Sequence, residues 1–379
     1  MAAPYFSRSG IASWLDAVLP LRRYRRSSQM PQRIDRVDAR LLRSEHAPYL
    51  EKVEREVRPV WLQFDLGSLG LSRTVWALPL VDALLERFPL ATVAVCGRHR
   101  RPAELVRAHL RGAGRCLAPV SDLPGLSVRL AATARGEPCW NIGRSAELQL
   151  SPRRPRRLQY APPLTHAAEH FQEQAFLVGL PRRGSAPQLQ LSAEQKQWGR
   201  RRAVELTGNR GPLIITLPAS GESAGSRTWG PQRLHDAAAQ LQRAIGGQVI
   251  QLGGLAASTR PASGGAEGRA AHVLPRDVNA PALLYFAAVC LADDIGWAHV
   301  AAAVGAPVVT VHGRTCPQYC GPASAVSAAV FADAYRCKSC DGNGRPRCLD
   351  CVPIAEVVAA AERVSALHWP RDRYRRALG

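Results

Sequence analysis

The sequence predicts an α/β protein built on parallel sheets, and three stretches carry that expectation. Val60-Trp-Leu-Gln-Phe-Asp65 reads as a buried strand, followed by the glycine loop Leu66-Gly-Ser-Leu-Gly70, a helical run from about Thr74 to Phe88 and a second strand over Ala91 to Cys96. Leu213-Ile-Ile-Thr-Leu-Pro218 and Gln248-Val-Ile-Gln-Leu-Gly-Gly254 repeat the pattern around a helix running from Trp229 to about Ile245. Ala292-Asp-Asp-Ile-Gly-Trp-Ala-His-Val then opens a stretch that reads as a loop with two carboxylates, a helix of small residues and the β-branched strand Val308 to Val311, closed by Gly313. In such sheets the ligand crevice lies at the carboxyl ends of the strands. The loops after Leu217 and at Asp294 both emerge there, so they can face one ligand.

With 379 residues the chain is long enough for two domains with separate cores. Residues 1–58 form a basic N-terminal extension, 59–180 a first Rossmann-like domain, 181–211 a linker, 212–365 a second domain and 366–379 a basic tail. In the extension, Ile11-Ala-Ser-Trp-Leu-Asp-Ala-Val-Leu-Pro-Leu precedes Arg22-Arg-Tyr-Arg-Arg26. An apolar stripe beside a basic run suits either an anionic membrane surface or packing on the core with a solvated arginine face. From Arg98 to Pro163 the composition indicates irregular α/β structure. His166, Glu169 and His170 fall on one helical face as a satisfied surface cluster, and Pro181 to Ala186 breaks the pattern. Ser192 to Leu206 reads as a polar, exposed helix, Ala256 to Gly268 as a Ser/Gly insert and Ala270 to Leu274 as a strand. Ala280 to Val289 reads as a helix, and Ile354 to Leu367 as a closing one.

The formal net charge is +20, with a pI of about 10.4, which calls for an acidic partner. Only Lys52, Lys196 and Lys338 are lysines, so the charge is carried by arginine, which suits bidentate phosphate contacts. Neither an interleaved basic and aromatic sheet motif nor a helix-turn-helix pattern is present, which disfavours nucleic acid. No apolar run reaches a bilayer's thickness, and Ile11 to Leu19 is interrupted by Asp16 and followed, not preceded, by its basic cluster, unlike a signal peptide. The expected location is the cytoplasm, or the inner face of the inner membrane as a peripheral protein.

Ten cysteines divide into four scattered ones, Cys96, Cys116, Cys139 and Cys290, and six between Cys316 and Cys351. Cys337-Lys-Ser-Cys340 and Cys348-Leu-Asp-Cys351 are two Cys-x-x-Cys knuckles that converge readily on one tetrahedral ion, zinc or iron. Four thiolates leave no open position, so the expected role is structural.

The chemistry suggested by Asp294 to His299 is diphosphate binding. Gly296 lets backbone approach a ligand closely, and the helix starting beside it presents unpaired N–H groups and a positive dipole end. These residues resemble the nucleotide-sugar signature of the ADP-heptose:lipopolysaccharide heptosyltransferase family. There an Asp-Thr-Gly-x-x-His turn leads to Ala-Ala-Ala-x-Gly-x-Pro and a strand ending in Gly. Asp294, Gly296 and His299 occupy the matching positions, and Ile295 replaces the hydroxyl residue while keeping its backbone N–H. Ser226-Arg-Thr-Trp-Gly-Pro matches the family's Lys-x-Trp-x-Pro, with Arg227 in place of Lys and Thr228 beside it.

The resemblance covers about residues 60–360 and implies the GT-B fold, two Rossmann-like domains with parallel sheets facing a cleft, plus the N-terminal extension and a Cys-rich metal-binding insert. It implies an inverting glycosyltransferase without a catalytic metal, moving heptose from ADP-heptose to a lipopolysaccharide-core or protein acceptor. Arg227 and the helix end at Gly296 would stabilise the leaving diphosphate, Asp294 would bind sugar hydroxyls, and His299 would support the phosphate loop. The family's loop reads Ser-Leu-Gly-Asp, whereas the carboxylate here is replaced by Leu71, or by Arg73 if spacing is counted from Leu78-Pro79. That Asp looks like the family's general base, and Asp65 is the nearest substitute. A non-catalytic binding or scaffold protein is therefore the alternative. Protein-heptosylating relatives that act on autotransporters carry an iron-bound cysteine finger, and by that likeness Cys316 or Cys320 would replace Cys351 as ligand.

Overall fold

The computed structural model describes residues 61–66, 70–97, 99–118, 126–132, 138–143, 148–150, 166, 168–169, 180, 186–209, 211–219, 228–253, 272–313, 315, 317–331, 349 and 351–368. The N-terminal extension, residues 369–379 of the basic tail, His170, Arg227, Cys316, Cys337, Cys340 and Cys348 lie outside them.

The first sheet has the order β2-β1-β3-β4-β5. Its strands are β1 (Trp61–Asp65), β2 (Thr92–Cys96), β3 (Leu126–Ala132), β4 (Pro138–Gly143) and β5 (Leu148–Leu150). β1 pairs in parallel with β2 and β3, and β4 and β5 add an antiparallel edge. Between β1 and β2 runs α1 (Leu71–Arg87), which begins at Leu71 rather than near Thr74. α2 (Arg100–Gly112) follows β2 and is strongly amphipathic, burying Leu105, Val106 and Leu110 while Arg100, Arg101 and Arg111 are exposed and Arg107 reaches back to the Val95 carbonyl at 2.8 Å.

The second sheet has the order β11-β10-β9-β6-β7-β8, all parallel. It comprises β6 (Leu213–Leu217), β7 (Gln248–Leu252), β8 (His272–Leu274), β9 (Val289–Asp293), β10 (Val308–His312) and β11 (Ser327–Phe331). The three central strands, β6, β9 and β10, are buried along their whole length. Continuous apolar runs of this kind are what a parallel sheet covered on both faces requires. One face carries α4 (Pro231–Ile245) and α8 (Ile354–His368), through Leu234, Leu241, Val357 and Ala361. The other carries α3 (Ala193–Thr207), α5 (Ala280–Tyr285) and α6 (Gly296–Ala303). The four-residue α7 (Pro317–Cys320) precedes β11.

Two expectations are corrected. The helix expected over Ala280 to Val289 ends at Tyr285, and Val289 to Asp293 is the central strand β9. A short apolar run of Ala, Val, Cys and Leu has no period that separates buried helix from buried strand. The helix expected to be exposed from Ser192 is capped as its sequence suggests, by a reciprocal Ser192 and Gln195 box. Its Gly199, however, is buried so close to α5 that an added Cβ would lie 2.3 Å from the Ala282 carbonyl oxygen.

The order of winding reverses between β6 and β9, with β7 and β8 added on one side and β10 and β11 on the other, so the loops leaving their carboxyl ends diverge and open a crevice there. α1 of the first sheet packs on α6 of the second, and one buried apolar cluster runs from Leu62 and Phe64 in β1 to Val308 in β10. Gly296 sits at the seam: a Cβ there would lie 2.7 Å from the Leu71 Cβ and 3.1 Å from the Ser72 nitrogen. Among the described residues no helix is long and apolar enough to cross a membrane.

Candidate functional site

The crevice is organised by Asp293, the last residue of β9, which is fully buried. Its Oδ2 accepts from the Ala219 amide at 2.7 Å and the Thr228 hydroxyl at 3.0 Å, and its Oδ1 accepts from the Trp229 amide at 2.7 Å. One carboxylate thus ties down both ends of the loop that carries Arg227 between β6 and α4. Burial raises its pKa, opposed by the three donors and by the Arg276 guanidinium. Arg276 donates through Nε to the Leu252 carbonyl at 2.8 Å and through Nη2 to the Pro218 carbonyl, bridging the ends of β7 and β6. Its stem lies over Gly253, whose φ of +70° and missing side chain make the room. Burial lowers the Arg276 pKa to about 10, which leaves the guanidinium charged at neutral pH.

Asp294 points to a different set of partners. Its Oδ2 accepts from the Thr315 hydroxyl at 2.7 Å, and its Oδ1 lies 3.9 Å from Nδ1 of the buried His312. The Thr315 hydroxyl has one proton, which goes to Asp294, so its oxygen takes the His312 Nδ1–H at 3.0 Å. Nε2 of His312 is 2.8 Å from the Thr310 hydroxyl. Burial lowers the His312 pKa and Asp294 opposes that shift.

α6 begins at Gly296 without a side-chain cap and without an acidic residue in its first turn. The Ile295 amide, expected to remain in place for phosphate, already donates to the Asp293 carbonyl at 2.8 Å, and the Ala298 amide returns to the Ile295 carbonyl at 3.0 Å. The amides at the mouth are therefore those of Gly296 and Trp297. His299 is 3% exposed. Its Nδ1 accepts the indole N–H of Trp76, from α1, at 3.2 Å, and the rings cross at 89° with centroids 5.2 Å apart. Burial, reinforced by His166 and His312, pushes the His299 pKa down to about 3. His166 is not a surface residue of an isolated cluster: its Nδ1 accepts from the Ala168 amide, its Nε2 meets the Gly321 carbonyl at 2.7 Å, and its ring packs edge-on against Trp76.

Of the sequence-predicted residues, Thr228, Asp294, Ile295, Gly296 and His299 are brought to the carboxyl ends of β6, β9 and β10. The Thr228 hydroxyl is committed to Asp293 and to the Gly230 amide. Asp65 ends β1 at the register of Cys96 and Arg129. Sequence reasoning missed Asp293 and Trp76. A carboxylate closing a buried strand at the switch in winding order was the available signal for the first; nothing local signals the second.

Near the cysteine region, Leu349 seats against Gly313, where an added Cβ would lie 2.7 Å from its Cγ, and its carbonyl accepts from Arg233 at 3.2 Å. Arg233 also lies over the Trp229 ring, 5.8 Å from its centroid. Cys351 and Cys320 are partly exposed. Among the described residues no group of three or more His, Cys, Asp or Glu is arranged to hold a metal.

The fold is thus two α/β units joined along a helical seam, with an uncapped helix at the switch point of a doubly wound sheet. Residues 146–347 match the family model for glycosyltransferase family 9 (heptosyltransferase), more than half of the chain, and the protein belongs to that family. The fold is shared with a family 9 glycosyl transferase from Veillonella parvula, 14% identical, with a TM-score of 0.59 over 82% of this chain and 99% of that one. Escherichia coli ADP-heptose lps heptosyltransferase II is 15% identical, with a TM-score of 0.52 over 81% and 99%. TibC, an iron-containing dodecameric glycosyltransferase from enterotoxigenic Escherichia coli, is 11% identical, with a TM-score of 0.51 over 82% and 78%. No curated protein matches.

Proposed function

We propose that the protein transfers heptose from ADP-heptose, with inversion, to a hydroxyl of lipopolysaccharide core or of a protein. The observation that carries this reading is Asp293, which joins the Arg227 loop to the segment that starts α6, so that a guanidinium and free helix amides can meet one diphosphate. In the reaction the acceptor oxygen attacks the anomeric carbon, the bond from that carbon to the diphosphate breaks, and ADP departs with the electron pair. Arg227 and the Gly296 and Trp297 amides neutralise the charge that develops, so the reading calls for no catalytic metal. Asp294, oriented by Thr315, takes sugar hydroxyls. Asp65 is the proposed base; loss of a positioned base typically costs about 10²–10⁴-fold.

One observation favours a second reading, a binding or scaffold protein without turnover. At the position of the family's carboxylate, Leu71 is packed against Gly296 and Arg73 follows in the same turn. Titration with ADP and ADP-heptose by calorimetry, with turnover followed in parallel, separates the two. Binding with transfer supports the first, binding without transfer the second, and no nucleotide binding overturns both.

For the cysteine insert we propose structural zinc or iron held by Cys337, Cys340, Cys348 and Cys351. The residues at hand fit a fixed knuckle: Leu349, between two of these thiols, is pinned by Arg233 and by its seat on Gly313. A bound ion would cross-link the insert. Association with an anionic membrane through the basic extension, from the cytoplasmic side, remains part of the proposal.

A further inference from the structure

Trp76 belongs to none of the motifs above, yet it is the one side chain of α1 that reaches a polar atom of α6 among the described residues. An indole N–H donates and cannot accept, so the His299 Nδ1 that it meets at 3.2 Å carries a lone pair. His299 stays neutral under working conditions, because burial holds its pKa near 3. A neutral imidazole with an unprotonated Nδ1 has its proton on Nε2. That proton is fixed from the other half of the molecule. Trp76 is itself held, edge-on between His299 and His166, and His166 is locked by the Ala168 amide and the Gly321 carbonyl.

We propose that Trp76 is a positioning residue that sets the tautomer of His299, so that the donor site offers an imidazole N–H rather than a lone pair to the diphosphate. The inference rests on the reading of the α6 amino terminus as the diphosphate site. Tautomer matters there because a neutral ring has no net charge with which to attract an anion. Nε2–H toward a phosphate oxygen is attractive, whereas a lone pair in the same place is repulsive. Without the indole N–H the two neutral tautomers compete, and part of the population presents the wrong face.

The test uses the full-length protein with ADP as probe. Long-range ¹H–¹⁵N correlation spectra of the imidazole nitrogens report the tautomer, and calorimetry reports ADP affinity, for the wild type, Trp76→Phe, His299→Ala and the double variant. Phe keeps an aromatic ring and removes the donor together with part of the indole's volume, and the double variant separates the two effects. The expected result is a pure Nε2–H form in the wild type and mixed tautomers in Trp76→Phe. ADP binding should weaken about tenfold in that variant, the low end of what a hydrogen bond to an ionised group contributes. In the His299→Ala background Trp76→Phe should change ADP affinity no further. An Nδ1–H form in the wild type overturns the proposal without any variant. Unchanged ADP affinity in Trp76→Phe overturns it too, as does an equal loss in both backgrounds, which would mark a packing role. A wild type that fails to bind ADP brings down the functional reading itself, and with it this inference.

Discussion

Replacing Asp293 by Asn tests how the donor loop is held. The carboxylate receives three donors, two on Oδ2 and one on Oδ1, from Ala219, Thr228 and Trp229. An amide has one oxygen and one NH₂, so in either orientation an N–H group is turned toward another donor inside a fully buried site. Hydrogen bonds to an ionised group are worth about 1.5–3 kcal/mol each, and a stranded buried donor costs about 1–3 kcal/mol. Removing a buried charge returns part of this, in keeping with the raised pKa of Asp293. The expected net loss is roughly 2–4 kcal/mol. Thr228→Val removes one donor, leaves the carboxylate two and frees the Gly230 amide, so it should cost about 1.5 kcal/mol, the low end of that range. Urea melts should show lower midpoints in that order with unchanged slopes, and ADP affinity should fall in the same order. Asn and Val variants of equal stability, or an Asn variant that binds ADP like the wild type, would refute the argument that this carboxylate anchors the loop.

Gly296→Ala should destabilise by about 1–3 kcal/mol, because the new Cβ meets the Leu71 Cβ at 2.7 Å, and in a double-mutant cycle of urea melts Leu71→Gly, which removes that Cβ, should restore part of the loss whereas Leu71→Ala, which keeps it, should not. His299 gives a pH dependence of definite sign. Its folded pKa, about 3, lies below its ordinary 6.5, so below pH 6.5 the unfolded chain binds a proton that the folded one refuses. The stability contributed by the neutral ring is complete above pH 6.5 and declines on acidification toward pH 3, by up to about 1.4 kcal/mol per pH unit, and His299→Gln should flatten that slope by close to one proton in melts taken between pH 7 and 4.5. Elemental analysis of the purified protein should find about one zinc or iron per chain if the four knuckle thiols share an ion, and Cys351→Ser should lower that occupancy and the melting temperature together.

Much of this architecture was legible because parallel sheets are written in short apolar runs broken by glycine, as at Leu213 to Leu217 and Val308 to Val311. The motif at Asp294, Gly296 and His299 was legible because glycine and a helix start are local signals. Asp293 was not, since two adjacent carboxylates differ only in which one closes the strand, and β9 itself was hidden in an alanine-rich run that suits either structure. The start of α1 at Leu71 was obscured by the absence of a capping side chain at Gly70. The Trp76 and His299 pair joins residues far apart in the chain, and only the packing of α1 on α6 brings them together.

The unbroken apolar seam between the halves has a mechanical consequence. Parting them would strip Trp76, Leu71 and Trp297 of their cover and expose core that extends from β1 to β10. The seam therefore opposes any separation of the two halves, since each increment of opening brings apolar core into water.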